Sequence, residues 1–189
     1  MDKELIKGLI AEYQQFVKSV SFVKRAVTLS DNFNYVFVGL RRVGKSYLMY
    51  QQIHHLIETG ISPEEILFFN FEDERIAGMD TEHLDMIKRC YEEMYSHRPI
   101  FFLDEIQIVP HWEQFVRRLA DQKYRVYVTG SNAKMLSKDI ATTLGGRFMI
   151  QYVYPFSFRE YLSSNGVQLD KLWIYKNRSE VVRLSLIHI

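Results

Sequence analysis

A chain of 189 residues with 47% apolar and 14% aromatic residues has enough material for the packed core of one domain and the start of a second, which excludes an intrinsically disordered chain. The formal net charge of +1 supplies no electrostatic argument for nucleic acid, and the single cysteine, Cys90, excludes an internal disulfide and argues against a cysteine-based zinc site. No apolar run is long enough to cross a bilayer, and the charged start Met1-Asp2-Lys3-Glu4 leads into an amphipathic segment rather than a signal-peptide core, so the expectation is a reducing, cytoplasmic setting without a membrane.

Residues 3–20 carry Leu5, Ile6, Leu9, Ile10, Tyr13, Phe16, Val17 and Val20 at helical spacing. They predict a helix that packs on the domain from outside and makes residues 1–30 an N-terminal helical segment. Asp31-Asn32-Phe33-Asn34 reads as a turn, and the apolar run Tyr35–Val38 as the first strand. The next eight residues, Gly39-Leu40-Arg41-Arg42-Val43-Gly44-Lys45-Ser46, fit G-x-x-x-x-G-K-[ST], the phosphate-binding P-loop. A helix to about Glu58 follows, with Leu48, Met49, Gln52 and Ile53 at its spacing, so the order strand, glycine-rich loop, helix is the one the motif needs.

The chemistry explains that spelling. A loop that wraps a polyphosphate must bring several backbone N–H groups to its oxygens, and Gly39 and Gly44 permit close approach and unusual dihedrals. The loop amides around Val43 and the first helical turn, Lys45, Ser46 and Tyr47, point the positive end of a helix at the same anion. Lys45 is placed to reach the β and γ phosphates, and the Ser46 hydroxyl to ligate Mg²⁺. Arg41 and Arg42 have two readings, a phosphate or partner contact and solvated charge. The segment Val23–Val27 also has two, a contact with a nucleotide base and plain core packing, of which packing is preferred.

Further along, Gly60 suits a helix C-cap, and Ser62-Pro63-Glu64-Glu65 a capping box with proline at the first helical position. Ile66–Phe71 is a second strand ending in Glu72 and Asp73, read as a solvated strand end in preference to a Mg²⁺ neighbour. Asp80 caps a helix with Leu84, Ile87, Tyr91 and Met94 on one side, which Arg98-Pro99 ends. Ile100–Glu105 is a third strand, and Pro110 is expected to open a helix with Trp112, Phe115, Val116 and Leu119 inward. Tyr124–Val128 is a fourth strand, a short helix surrounds Met135 to Ile140, Phe148–Val153 is a fifth strand, and another helix begins at Pro155.

Strands that alternate with helices and are apolar on both faces predict an α/β fold, a three-layer α/β/α sandwich on a mainly parallel five-stranded sheet, with ligand chemistry at the C-terminal strand edge. At that edge Asp104 follows four apolar residues in the Walker B pattern and is read as a Mg²⁺ ligand. Glu105 beside it is placed to orient and deprotonate an attacking water. Asn132, with Ser131 close behind it and Thr129 weaker, is the candidate to bond the γ phosphate or that water, against plain turn chemistry for Gly130-Ser131-Asn132. Arg147 is read either as an arginine finger, in cis or from a neighbouring subunit, or as a surface arginine. The histidines His54, His55, His83, His97 and His111 show no metal-binding spacing.

Through these residues the chain resembles the prokaryotic AAA+-like P-loop ATPases known simply as ATP-binding proteins, whose sheet is AAA+/RecA-like. The likeness covers about residues 1–183 and rests on Gly39–Ser46, Phe69-Asn70-Phe71-Glu72-Asp73, Phe102–Gln107, Thr129–Asn132, Leu144–Arg147 and Pro155–Leu162. The resemblance implies ATP rather than another nucleotide, Mg²⁺, an ATPase core over 31–155, and a helical linker over 156–183 leading to a nuclease-like C-terminal domain. Leu184–Ile189 reads as the in-frame translation of a transposon end used as a library adapter, so the natural frame is expected to run past Arg183 and the last six residues to be non-native. Two other functions compete with Mg²⁺-dependent ATP hydrolysis that drives or times a conformational change. One is a non-enzymatic ATP-dependent switch acting on a second copy or a partner protein. The other, a small-molecule kinase, gains nothing from an acid that activates water.

Overall fold

In the computed structural model, residues 2–131 and 139–166, with Ser179 and Val182, are the described part of the chain. Five parallel strands form one sheet: β1 (Asn34–Val38), β2 (Ile66–Asn70), β3 (Ile100–Asp104), β4 (Val126–Gly130) and β5 (Phe148–Tyr152), in the order β2-β3-β4-β1-β5. The helices that flank it are α1 (Lys3–Ser19), α2 (Lys45–Glu58), α3 (Thr81–Met94), α4 (Trp112–Asp121), α5 (Asp139–Thr143) and α6 (Phe158–Ser164). The expected α/β class and five-stranded sheet are what the chain adopts.

The apolar runs of β2, β3 and β4 are buried along almost their whole length, as a parallel sheet covered on both faces requires. Aromatic rings stack across the middle strands: Phe102 on Tyr127 at 4.4 Å between centroids, and Tyr127 on Tyr35 at 5.9 Å. β5, at the sheet edge, is only partly buried and leaves Met149 and Tyr152 exposed. α1 starts where the Asp2 carboxylate accepts the Glu4 N–H, and it seals Ile6, Leu9, Ile10, Tyr13 and Val17 into the core. Phe16, expected on that face, is exposed, and Gln14 takes the buried place because its amide donates to Ile66 O at 3.0 Å and accepts from the Tyr95 hydroxyl at 2.6 Å. Among the described residues no helix is long and apolar enough to cross a membrane.

Several boundaries differ from expectation for local reasons. β4 begins two residues late, because Tyr124 N bonds back to Leu119 O and closes α4 before the strand starts. α4 opens at Trp112 rather than Pro110, since its cap His111 is left-handed at φ 56°. α6 opens at Phe158, where Ser157 and Glu160 make a capping box. The helix expected around Met135 falls largely outside the described residues, as do Asn132 and the tail 184–189.

β1 lies between β4 and β5, so the chain leaves the middle of the sheet at Val38 and the direction of strand succession reverses there. That puts the segment after β1 in the crevice above the carboxyl ends of β1, β3 and β4.

Candidate functional site

Two glycines shape the loop after β1, for different reasons. A Cβ on Gly39 would stand 2.4 Å from Val153 O, so that position is fixed by close approach of the chain leaving β5. Gly44 has φ +92° and caps α2 without a side chain, a conformation in which only glycine is unstrained. Arg42 between them is also left-handed, at φ 65°. The loop thus delivers the first turn of α2, with its free N–H groups, to the crevice.

Lys45 is 4% exposed, and its ammonium donates to Leu40 O at 3.1 Å and lies 3.5 Å from Glu105 Oε1. Across from it, at the end of β3, Asp104 is buried and bonded to the hydroxyls of Ser46 and Thr129. Burial pushes its carboxyl up to about 6, against the pull of those two hydroxyls. Thr129 Oγ1 also accepts the N–H of Glu105 at 2.8 Å, so one fully buried hydroxyl sets both neighbours. Glu105 sits in a left-handed turn at φ 53°, which aims its carboxylate away from the strand and back over the loop. There Oε2 accepts from Ser131 Oγ at 2.9 Å and from Gln107 Nε2 at 2.5 Å.

The geometry therefore brings together Gly39, Gly44, Lys45, Ser46, Asp104, Glu105 and Ser131. Ser131 meets Glu105, and Asn132 lies outside the described residues. Thr129 is committed to Asp104 and Glu105 and supports them instead of presenting its hydroxyl to a ligand. Arg41 points outward, 77% exposed, and pairs with Glu72 at 3.3 Å. Asp73, at the same edge as Glu72, is tied to Tyr13 and Arg75. Arg42, Val43 and Tyr47 border a cavity of about 600 Å³ whose other wall includes Phe22, Val23 and Phe156. Of the segment expected to pack as core, Val27 does pack against the core while Val23 faces this cavity.

Arg147 has to be corrected as a residue acting in cis. It precedes β5, whose first residue pairs with Asn34 at the start of β1, so it stands at the opposite edge of the sheet from the loop that follows Val38. Its guanidinium pairs with Asp121 at 2.6 Å and its carbonyl accepts from Asn34. The expectation that the candidate ligand chemistry gathers at the C-terminal strand edge fails at this residue.

Three side chains had no role of their own in the sequence, although Gln107 and Glu160 lie in stretches that carry the family resemblance. Gln107 holds Glu105, and its own Oε1 is buried without a partner among the described residues. Arg25 reaches the P-loop carbonyl of Val43 and the carboxylate of Glu160. Only Glu160 had a local signal, the S-x-x-E spacing of a capping box. Hard oxygen donors in Ser46 and Asp104 suit Mg²⁺, and no cluster of three His, Cys, Asp or Glu forms a closed metal cage among the described residues.

Residues 31–162 match the family model described as AAA domain. The chain is 31% identical over 183 residues to an uncharacterised protein of Methanocaldococcus jannaschii, covering 96% of this chain and 40% of that protein. It is 35% identical over 164 residues to an uncharacterised protein of Haemophilus influenzae, covering 85% and 41%. The chain thus spans about two fifths of the length of both curated relatives. In fold it is similar to the Saccharomyces cerevisiae Hsp104–ADP complex, with a TM-score of 0.52 at 15% identity over 88% of this chain and 26% of that one. The chain belongs to the AAA domain family, the AAA+-like P-loop ATPases.

Proposed function

We propose that this domain binds ATP with Mg²⁺ and hydrolyses the β–γ phosphoanhydride, and that the cycle drives or times a conformational change. The observation that carries the reading is the pairing of Glu105 with Lys45 directly beside the buried Asp104. The amides of Val43 to Tyr47 cradle the phosphates, and Lys45 leaves its Leu40 carbonyl for the β and γ oxygens. Ser46 and Asp104 would hold Mg²⁺. Bound there, Mg²⁺ supplies neutralisation of the charge on the β and γ oxygens. Glu105 takes the proton of a water whose oxygen bonds to the γ phosphorus as the bridging bond to the β phosphate breaks. Ser131 orients Glu105, and Asn132 is the candidate to bond the γ phosphate. The cavity of Phe22, Val23, Tyr47 and Phe156 is apolar and large enough for a base. Arg147, at the far edge, has a finger role only toward a neighbouring copy, which makes a homo-oligomer part of the proposal.

One observation favours the slower, switch-like reading: Ser131 and Gln107 both hold one oxygen of Glu105 while the other faces Lys45, so the base has to be released before it works. Phosphate release from Mg-ATP by the parent and by Lys45→Ala, beside calorimetric binding, tests the proposal. The expected outcome is turnover and binding in the parent and strongly weakened binding in the variant. Equal affinity of the two chains for Mg-ATP contradicts it.

A further inference from the structure

Arg25 lies in the irregular segment between α1 and β1, yet its guanidinium is nearly enclosed, with 9% of the side chain exposed. All three nitrogens donate: Nε to Glu160 Oε1 at 2.8 Å, Nη2 to Tyr154 O at 2.9 Å and Nη1 to Val43 O at 3.3 Å. Its face covers the ring of Phe156, 4.8 Å from the centroid. The backbone beneath it is held on both sides by Gln51 of α2, which accepts from Arg25 N at 2.6 Å and donates to Arg25 O at 3.1 Å. Arg25 Nη1 is also the atom a Cβ on Gly44 would meet, at 3.7 Å. A single cation therefore touches the Val43–Gly44 part of the P-loop and the chain from Tyr154 to Glu160.

Glu160 is equally committed. One oxygen takes Arg25 and lies 3.4 Å from the Ala26 N–H, and the other accepts from Ser157 N at 2.8 Å and Ser157 Oγ at 2.9 Å to close the cap of α6. Although burial raises it, these donors hold its carboxyl down to about 2. α6 thus depends for its first turn on the residue that holds Arg25. Arg25 in turn depends on the docked 154–160 segment for two of its three acceptors. A planar fork with three fixed acceptors is a task for which a lysine is no substitute.

We propose that Arg25 is a positioning residue for the P-loop, and that its ion pair with Glu160 couples nucleotide affinity to the docking of the segment from Tyr154 to Ser164. The inference rests on the nucleotide-binding reading above and deepens it. With the segment docked, Arg25 holds the Val43 carbonyl and the loop keeps its binding shape. With the segment released, the loop loses that support, and apparent affinity falls with the fraction of loops in the competent shape. Reciprocity requires bound nucleotide to favour the docked segment by the same factor. The chain beyond α6 would thereby feel the occupancy of the loop.

The test is Mg-ATP binding and backbone hydrogen exchange on the 189-residue chain, for the parent, Arg25→Lys, Arg25→Ala, Glu160→Gln and the double variant Arg25→Ala/Glu160→Gln. Each single change is expected to weaken binding about tenfold, the scale of a charge-assisted hydrogen bond. Arg25→Lys is expected not to restore it, and the double variant to be no weaker than either single. Mg-ATP is expected to slow exchange at the amides of Glu160 to Leu162 in the parent and to lose that effect in Glu160→Gln. Thermal melting without nucleotide checks folding. If Arg25→Ala fails to fold, Arg25→Lys and the near-isosteric Glu160→Gln carry the comparison. Parent-like affinity in the folded single variants, independent losses that multiply in the double, or unchanged exchange on adding Mg-ATP to the parent overturns the coupling. A parent with no saturable Mg-ATP binding refutes the nucleotide reading itself, and the coupling falls with it.

Discussion

Thr129 Oγ1 donates to Asp104 Oδ1 at 2.5 Å while accepting the backbone N–H of Glu105 at 2.8 Å. This one hydroxyl, at the end of β4 and wholly buried, fixes the two carboxylates on which the proposed chemistry depends. Thr129→Val keeps the shape and removes the bridge, leaving a buried N–H and a buried carboxylate each short of a partner. The expected cost is about 1–3 kcal/mol of stability, read as a lower urea midpoint, together with weaker Mg²⁺ support of ATP binding. A variant with the parent's midpoint and Mg²⁺ dependence would contradict the assigned support.

Asp104 makes stability depend on pH in a direction opposite to most carboxylates. Its carboxyl, raised by burial from 3.8 to about 6, binds a proton more tightly folded than unfolded. Its contribution is therefore complete below about pH 4 and is lost as pH rises through about 6. The difference of 6 − 3.8 is about 2 units, or about 3 kcal/mol. Asp104→Asn removes this term, so its stability relative to the parent is expected to improve between about pH 4 and about pH 7.5. Denaturant unfolding of both chains at the two pH values measures it, and a constant difference contradicts it. Mg²⁺ held at Asp104, as proposed, would displace the same proton, so Mg-ATP affinity is expected to fall on acidification through about pH 6.

Gly39 is held by space and not by backbone angle. Gly39→Ala sets a methyl 2.4 Å from Val153 O, a backbone atom that yields only if the end of β5 moves. The expected effect is about 1–3 kcal/mol of destabilisation with weakened Mg-ATP binding, measured by denaturant midpoint and calorimetry. An alanine variant with parental stability and affinity would show that the two chains separate freely.

Much of this arrangement was legible in the residues because its signals are local. The apolar runs at β1, β2 and β3, the Gly39–Ser46 spacing, the capping box at Ser62 and the helix cap at Asp80 each depend on neighbours a few positions apart. What escaped was decided across the chain. Gln14 is buried because Tyr95 is 81 positions away in sequence and adjacent in space. Arg25 and Glu160, separated by 135 positions, have no pattern between them. Arg147 was legible and still misassigned: it stands just before the fifth strand, which in a parallel sheet is the amino-terminal edge, away from the P-loop, as the pairing of Phe148 with Asn34 shows.

The central claim is that Glu105 is the base for hydrolysis and not merely a strand-end acid, and single-turnover hydrolysis beside equilibrium Mg-ATP binding for the parent and Glu105→Gln tests it most directly. The amide keeps the size of the side chain and removes its basicity, while Lys45, Ser46 and Asp104 keep their hold on the phosphates and metal. The account predicts hydrolysis slowed by about 10²–10⁴-fold, with affinity unchanged or slightly higher because one negative charge leaves the neighbourhood of a polyanion. Hydrolysis within about threefold of the parent, well short of a lost base, or loss of binding along with turnover, would contradict it.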